Sequence, residues 1–446
     1  MRRHTPLVAV LLLYLSCAGL WYLALPPIEG PDENGHHDYI RYLATFRRLP
    51  SELPPPGWNP NCWWHPPLYY AALAPILAAR GTDNARIVTP VFNESRQLFG
   101  YYRVFLFDGP VTRPIETLYW LRLASAAFGL ATVWLAFVAL EFLLGSARQA
   151  GLVTSGLVLV PQFTSLSVSV TNDTLVTTLS ALAVVLLLRL MRRGSTAPAV
   201  FVCGVVVGLA IVTKLNALCL VPMAAVGITL GDRRPSRTAG HLLLFGAGVT
   251  ITSGWYFVRN WVLFGDPMGA AFKLQTMNSP EVQAQTHQWF DPYFVSVFPR
   301  EILSTFWARF GWVAIPASRP VMALYAAVTL ALLVAIGLYL RRVVRRSTVP
   351  AREREVAWTF VAGVASAVVM FVGLNLAWFA AQARLLYPAL VPLLGLAAMG
   401  VRSLARDAQR WIPRPVMAVA VSLWLVAMAA AWLLTWRWAL IALFAV

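Results

Sequence analysis

The sequence predicts an all-α, polytopic membrane protein with about 11 membrane-crossing helices. Three observations carry that expectation. The 446 residues are 59% hydrophobic and only 12% charged, with a mean hydropathy of +0.64. A soluble domain is nearer one quarter charged. Apolar runs suited to a ~30 Å hydrocarbon core recur along the chain. Between them the arginines gather in short clusters on alternate connections. That pattern accounts for the formal charge of +17 without a nucleic-acid partner.

The apolar runs cover residues 7–23, 117–144, 152–170, 175–190, 198–212, 215–230, 241–257, 321–340, 356–377, 385–401 and 416–434. Met1-Arg2-Arg3 before the first run has the outline of a signal peptide. No small-x-small cleavage site follows, and the surroundings of Cys17 fit a lipobox poorly, so the run is read as a first span. Arg2-Arg3, Arg148, Arg192-Arg193, Arg233-Arg234-Arg237, Arg341-Arg342-Arg345-Arg346 and Arg402-Arg406-Arg410 fall on alternate connections, which predicts that these face the cytoplasm. Of the 19 acids, only Glu141, Asp232, Glu353, Glu355 and Asp407 then lie on the inner side. The expected arrangement is a plasma-membrane (inner-membrane) protein with a cytoplasmic N-terminus and a polar working face outside. Cys17, Cys203 and Cys219 fall in apolar runs and only Cys62 in an external segment, so no intramolecular disulfide is expected.

The whole of 1–446 reads as one transmembrane module with two long external segments, 26–116 and 259–320. Both are rich in proline and aromatic residues and lack strand alternation. In the first, Tyr39, Tyr42, Leu43, Phe46 and Leu49 form one helical stripe, with His37, Arg41 and Arg48 opposite. This predicts an amphipathic helix on the membrane surface. The apolar run 68–79 is too short to span, and Pro66-Pro67 suits a helix start.

Directly after the first span comes Pro31-Asp32-Glu33-Asn34-Gly35-His36-His37. Acids in a first helical turn favour the helix dipole, and a helix start accounts for them. A partly desolvated carboxylate at the membrane boundary is also basic enough to take a proton from a hydroxyl, and the two readings are compatible. His36, His37 and His65 stand near these acids in sequence and could add metal ligands. Adjacent histidines diverge by about 100° on a helix, so only one of the pair can share a site with Asp32. A divalent metal is compatible with this set, and hydrogen-bonding roles suit it better. Asn172-Asp173 fits a helix N-cap or a second carboxylate facing the same cavity. Lys214 (one of two lysines), Arg259 and Arg384 fall at the outer boundary. They suit interfacial anchors or a site for a lipid phosphate. Trp63, Trp64, Tyr69 and Tyr70 read mainly as an aromatic belt.

Taken in order, the acidic pair, His65-Pro66-Pro67-Leu68-Tyr69-Tyr70, Asn172-Asp173, Thr213-Lys214, Trp255–Trp261 with Gly265-Asp266-Pro267, Phe306–Trp312 and Gln382-Ala383-Arg384 resemble membrane glycosyltransferases of the GT-C class. Protein O-mannosyltransferases and the aminoarabinose transferase of lipid A would be distant relatives. The resemblance covers nearly the whole chain. It implies inverting transfer of a monosaccharide from a polyprenyl-phosphate donor to a glycan, lipid or protein acceptor outside the membrane. Asp32 would be the catalytic carboxylate and Glu33 its partner. Lys214, Arg259 and Arg384 would hold the donor phosphate, while His36, His37, His65 and Asp173 position acceptor or sugar. The alternatives are a flippase, which would bury charge at mid-membrane, or a non-catalytic assembly subunit for lipid-linked glycans.

Overall fold

The computed structural model describes residues 5–53, 57–81, 91–92, 105–106, 112–232, 234–276, 291–311, 313–345, 349–378 and 380–444. Arg2, Arg3, Arg233, Trp312 and Arg346 lie outside the described residues, as do parts of both long external segments. The helices are α1 (Thr5–Ala24), α2 (Glu33–Phe46), α3 (Leu68–Ala79), α4 (Arg113–Leu144), α5 (Ala147–Val158), α6 (Pro161–Ser167), α7 (Asp173–Arg193) and α8 (Ala197–Ile211). There follow α9 (Leu220–Gly231), α10 (Pro235–Phe264), α11 (Ala270–Thr276), α12 (Phe298–Trp307), α13 (Arg319–Arg345), α14 (Ala351–Ala377), α15 (Leu390–Ala408) and α16 (Arg414–Phe444). Among the described residues, strand pairing is confined to Val91–Phe92 with Phe105–Leu106 and Arg309–Phe310 with Ile315–Pro316.

All 11 apolar runs fall on helices, but not every one of these helices is long enough by itself to cross a membrane. Among the described residues eight helices are long and apolar enough to cross a membrane, or nine if α5 and α6 count as one broken span. That pair bends by 76°. Pro161 causes the break, because it lacks a donor and forces Val160 into an extended conformation. Helix α8 has 15 residues, hence a length of about 22 Å, short of a ~30 Å core. It stops where Lys214 becomes extended, before the 3-10 turn Leu215–Cys219 leads into α9. Composition registers these runs as apolar, and only their length shows that they fall short.

The basic helix ends converge. Arg192 donates to the Phe142 carbonyl at 3.1 Å, Arg402 to Leu144 O at 2.9 Å, Arg352 to Arg192 O at 2.9 Å and Arg342 to Ser403 Oγ at 2.8 Å. Asp173 lies at the far end of the same α7 that finishes with Arg192 and Arg193. The candidate-site acid Asp173 and the Arg192-Arg193 cluster therefore occupy opposite ends of the bundle, while Asp407 lies with the arginines, paired to Arg342.

Helix α2 covers the stripe only as far as Phe46, leaving the exposed Arg48 and the partly buried Leu49 beyond its end, and over residues 39–44 it does not lie bare on a surface. Tyr39, Ile40 and Tyr42 pack with Trp63, Tyr69, Tyr70 and Leu77 against Ile115, Leu118 and Leu121 of α4. The opposite face is covered too: Arg41 is 4% exposed, pairs with Asp38 at 3.1 Å and lies 3.7 Å from the Trp58 ring centre. Trp63, Tyr69 and Tyr70 are likewise core residues rather than a belt. A polar stripe looks the same whether water or buried partners satisfy it.

Helices α8 and α10 form the most extensive helix pair, and that contact sets where α8 delivers Lys214. Glycines allow it. A Cβ on Gly204 would collide with the Phe245 carbonyl, and one on Gly248 would stand 2.6 Å from Phe201 O. Gly204→Val or Gly248→Val is expected to cost about 1–3 kcal/mol or more. Gly246→Ala, with nothing within 4 Å of its new Cβ, should be neutral. Thermal unfolding in detergent separates the two classes, and equal melting points would refute the close contact.

Candidate active site

Asp32 and Glu33 are neighbours in sequence with divergent environments. Asp32 sits just before α2 at φ 57°, ψ 16°, a left-handed conformation that Asp tolerates better than most residues. This turn sends the two side chains apart. Glu33 is fully buried and its carboxylate is saturated. Arg122 Nε donates to Oε1 at 2.8 Å and Nη2 to Oε2 at 2.6 Å, while the amides of Val170 and Gly30 donate at 3.0 and 3.2 Å. Arg122 also donates to the carbonyls of Leu25 and Pro26 at 2.6 and 2.7 Å. Gly30 is required here, since a Cβ would lie 3.0 Å from both the Glu33 carboxyl carbon and Ser169. Glu33 thus ties the loop after α1 to α4 and to the chain entering α7. The expectation that it shares acid–base work with Asp32 is corrected: it has no free lone pair facing a cavity.

Asp32 points instead into an ionic chain. Arg384 Nη2 donates to Asp32 Oδ2 at 2.7 Å and its Nη1 to Asp173 Oδ2 at 3.4 Å, and Lys214 Nζ donates to Asp173 Oδ1 at 2.6 Å. Gln382 Oε1 accepts from Arg384 Nε at 2.7 Å, and Thr171 donates to Asp173 at 3.1 Å. Asp173, Lys214 and Arg384 are buried, whereas 33% of the Asp32 side chain is exposed. Burial alone would raise the Asp32 carboxyl, but the Arg384 guanidinium, aided by Lys214, holds it below the usual carboxylate range. The site therefore presents one ionised, accessible carboxylate backed by a charge-balanced set.

Of the adjacent histidines, His36 is the one that joins this site. His36 Nδ1 and the Tyr70 hydroxyl share a 2.8 Å hydrogen bond, and its ring stacks on His65 with centroids 5.8 Å apart. Burial pushes the His36 imidazole down to about 3 and holds that of His65 well below its usual value, so both are neutral at pH 7. His37 turns away, 3.8 Å from Asp38. Among the described residues, no three His, Cys, Asp or Glu side chains converge as a metal site. All four cysteines are free.

Arg259 is not part of the ionic chain. It donates to the Pro50 carbonyl and to Asn260 Oδ1, and borders a small crevice of about 10 Å³ with Tyr39, Trp63, Trp64, His65 and Tyr256. None of the lining side chains is acidic, and among the described residues Arg259 has no carboxylate partner. His65 stands between crevice and chain: the charges of Lys214 and Arg384 reach it, as does that of Lys273. The sequence reading missed Arg122, Gln382 and Lys273. Only Arg122 left a clear signal, being a charge inside the apolar run 117–144.

Residues 116–256 match the family model described as dolichyl-phosphate-mannose-protein mannosyltransferase. Among solved structures, the chain is similar to ArnT from Cupriavidus metallidurans bound to undecaprenyl phosphate. The TM-score is 0.52 at 16% identity, over 97% of this chain and 74% of that one. It is also similar to the apo oligosaccharyltransferase of Archaeoglobus fulgidus, with TM-score 0.51 at 12% identity over 98% of this chain and 56% of that one. The same oligosaccharyltransferase in complex with Zn and sulfate gives 0.50 at 12% identity, over 97% and 52%. No curated protein matches. The chain thus has the GT-C glycosyltransferase fold and spans just over half the length of the oligosaccharyltransferase.

The Glu33–Arg122 pair yields a stability prediction. Arg122→Ala leaves a buried carboxylate without its counter-ion, which is expected to cost about 3–5 kcal/mol. Unfolding in detergent measures it, and a melting point equal to wild type would show that the pair is not structural.

Proposed function

We propose that the protein is an inverting glycosyltransferase that moves a monosaccharide from a polyprenyl-phosphate donor to a glycan, lipid or protein acceptor. One observation carries the reading: an ionised, accessible carboxylate, Asp32, is linked through the stacked His36 and His65 to a crevice whose cation, Arg259, has no carboxylate partner among the described residues. A phosphate anion fits an unneutralised cation better than Lys214 or Arg384, each already paired with a carboxylate. Arg259 is thus assigned to the donor phosphate. Lys214 and Arg384 keep Asp173 and Asp32 charged and in place, and their two positive charges balance two carboxylates as a divalent ion would.

In the reaction, the acceptor hydroxyl oxygen attacks the anomeric carbon opposite the phosphate. The new glycosidic bond forms as the bond from anomeric carbon to phosphate oxygen breaks, and polyprenyl phosphate leaves with the electron pair. Asp32 takes the hydroxyl proton, and Arg259 stabilises the charge that grows on the leaving phosphate. His36 and His65, neutral and between carboxylate and crevice, offer hydrogen bonds to sugar hydroxyls without competing for the proton. Asp173 positions the acceptor side through Arg384. The site lies at the bundle end opposite the arginine clusters, which by the charge bias of membrane proteins assigns it to the extracytoplasmic face of the plasma membrane. Ionisable groups gathered at one end, rather than strung through mid-membrane, favour a transferase over a flippase.

The test is donor turnover in nanodiscs with a panel of polyprenyl-phosphate sugars, read as released polyprenyl phosphate. Wild type is expected to turn over, and Asp32→Asn to lose about 10²–10⁴-fold in rate. Undiminished turnover by Asp32→Asn would remove the base. The rate should hold as pH falls through the ordinary carboxylate range, because the lowered Asp32 group stays ionised, and drop only below it. A fall near pH 4–5, typical of an unperturbed carboxylate, would contradict the Arg384 pairing.

A further inference from the structure

Lys273, on α11, is the second of the chain's two lysines and has no part in the chemistry above. Its ammonium lies 3.9 Å from the ring centre of Trp378, just past α14, and 4.7 Å from that of Trp64 in the first external segment. Trp64 is also a wall of the Arg259 crevice, and Gly269 and Phe272, just before Lys273, are two more. Lys273 therefore stands directly behind the crevice wall, with its charge held against two indoles. Indole faces attract a cation but leave its net charge uncompensated.

Among the described residues, Lys273 has no carboxylate partner. The acid nearest in sequence, Asp266, is engaged elsewhere: it accepts from the amides of Met268 at 3.0 Å, Ala271 at 3.3 Å and Ala270, capping α11. The other charged or titratable groups in the crevice wall among the described residues are Arg259, the neutral His65, Tyr39, whose hydroxyl burial pushes up, and Tyr256, which the Asp266 charge reaches. A half-buried ammonium and a guanidinium beside one cavity, with no acid in its lining, form an incomplete electrostatic arrangement.

We propose that Lys273 is a second anion-binding residue for the crevice, its charge acting on the same phosphate group as Arg259 from beside the Trp64 wall, with Trp64 and Trp378 holding its ammonium in place. The inference rests on the assignment of a lipid phosphate to the crevice. Lys273 differs from Arg259 in that it titrates: burial, with no neighbouring charge contributing, brings its ammonium down to about 8. A bound phosphate raises that value. The Lys273 contribution is then complete below about pH 8 and is lost as pH climbs through the value in the complex. A phosphate monoester is already fully ionised there, its second ionisation lying near 6. The ligand itself therefore adds no slope above pH 7.5.

The experiment is binding of undecaprenyl phosphate, with undecaprenol as the neutral control, to purified protein in nanodiscs from pH 7.5 to 9.5. Wild type is expected to prefer the phosphate and to weaken as pH rises. Lys273→Met should lose on the order of tenfold or more in phosphate affinity with undecaprenol unaffected. Lys273→Arg should bind tightly with a flat pH profile. If Arg259→Met loses the phosphate while Lys273→Met binds like wild type, the inference fails and the donor assignment stands. If neither variant changes binding, the donor assignment fails too. Should Lys273→Met not fold, the pH slopes of wild type and Lys273→Arg decide: matching slopes overturn the proposal.

Discussion

The fold depends on a buried ionic chain that joins residues up to 352 positions apart. Asp32 from the loop after α1, Asp173 from the head of α7, Lys214 from the turn after α8 and Arg384 from the turn before α15 meet there. Burying the charges of Asp173, Lys214 and Arg384 is unfavourable unless each finds a partner at close range, and here each does, with the half-buried Asp32 completing the chain. Asp173 gains further from the positive end of the α7 dipole, while Arg192 and Arg193 occupy the negative end of the same helix. A second saturated pair, Glu33 with Arg122, pins the loop carrying Asp32 to α4 and to the chain leading into Asp173. Moving any one segment would strand a charge in a medium of low dielectric.

That constraint produces an electrostatic asymmetry with chemical consequences. On one side of His65 the charges are balanced, which keeps a carboxylate ionised and oriented without leaving surplus cation to trap an anion. On the other side, Arg259 lines and Lys273 flanks a crevice with no acid among the described residues of its lining. A base has to be free of the leaving group it helps to expel, and a phosphate has to meet charge not already spent on a base. On the proposed function, placing the two roles in adjacent but electrically distinct compartments satisfies both demands. Likeness to ArnT and to the oligosaccharyltransferase supplies the fold, while the division between the compartments is read from this chain's own side chains.

Much of this was legible in the sequence because its physical cause is local. Apolar runs and alternating arginine clusters specify a helical membrane bundle with its polar residues at one end. Asp32, Asp173, Lys214 and Arg384 each stand at the edge of an apolar run, and that placement singled them out. What stayed hidden depends on where side chains point. Adjacency made Glu33 look like a partner to Asp32, yet a left-handed residue between loop and helix sends the two carboxylates to different neighbours. Arg259 resembled Lys214 and Arg384 in its position along the chain, but it faces another cavity. Periodicity over residues 37–49 revealed an amphipathic helix without showing that Trp58, Asp38 and α3 cover its polar and apolar faces. The structure does not confirm a count of 11 spans, because hydropathy does not distinguish a 15-residue helix from one that crosses the bilayer.

The most direct test of the two-compartment account is an experimental structure in nanodiscs with undecaprenyl phosphate bound. The account predicts the phosphate in the crevice, within hydrogen-bonding distance of Arg259, with the Asp32–Arg384 and Asp173–Lys214 pairs intact. A phosphate that instead displaces Asp32 from Arg384, or binds away from both, would contradict it.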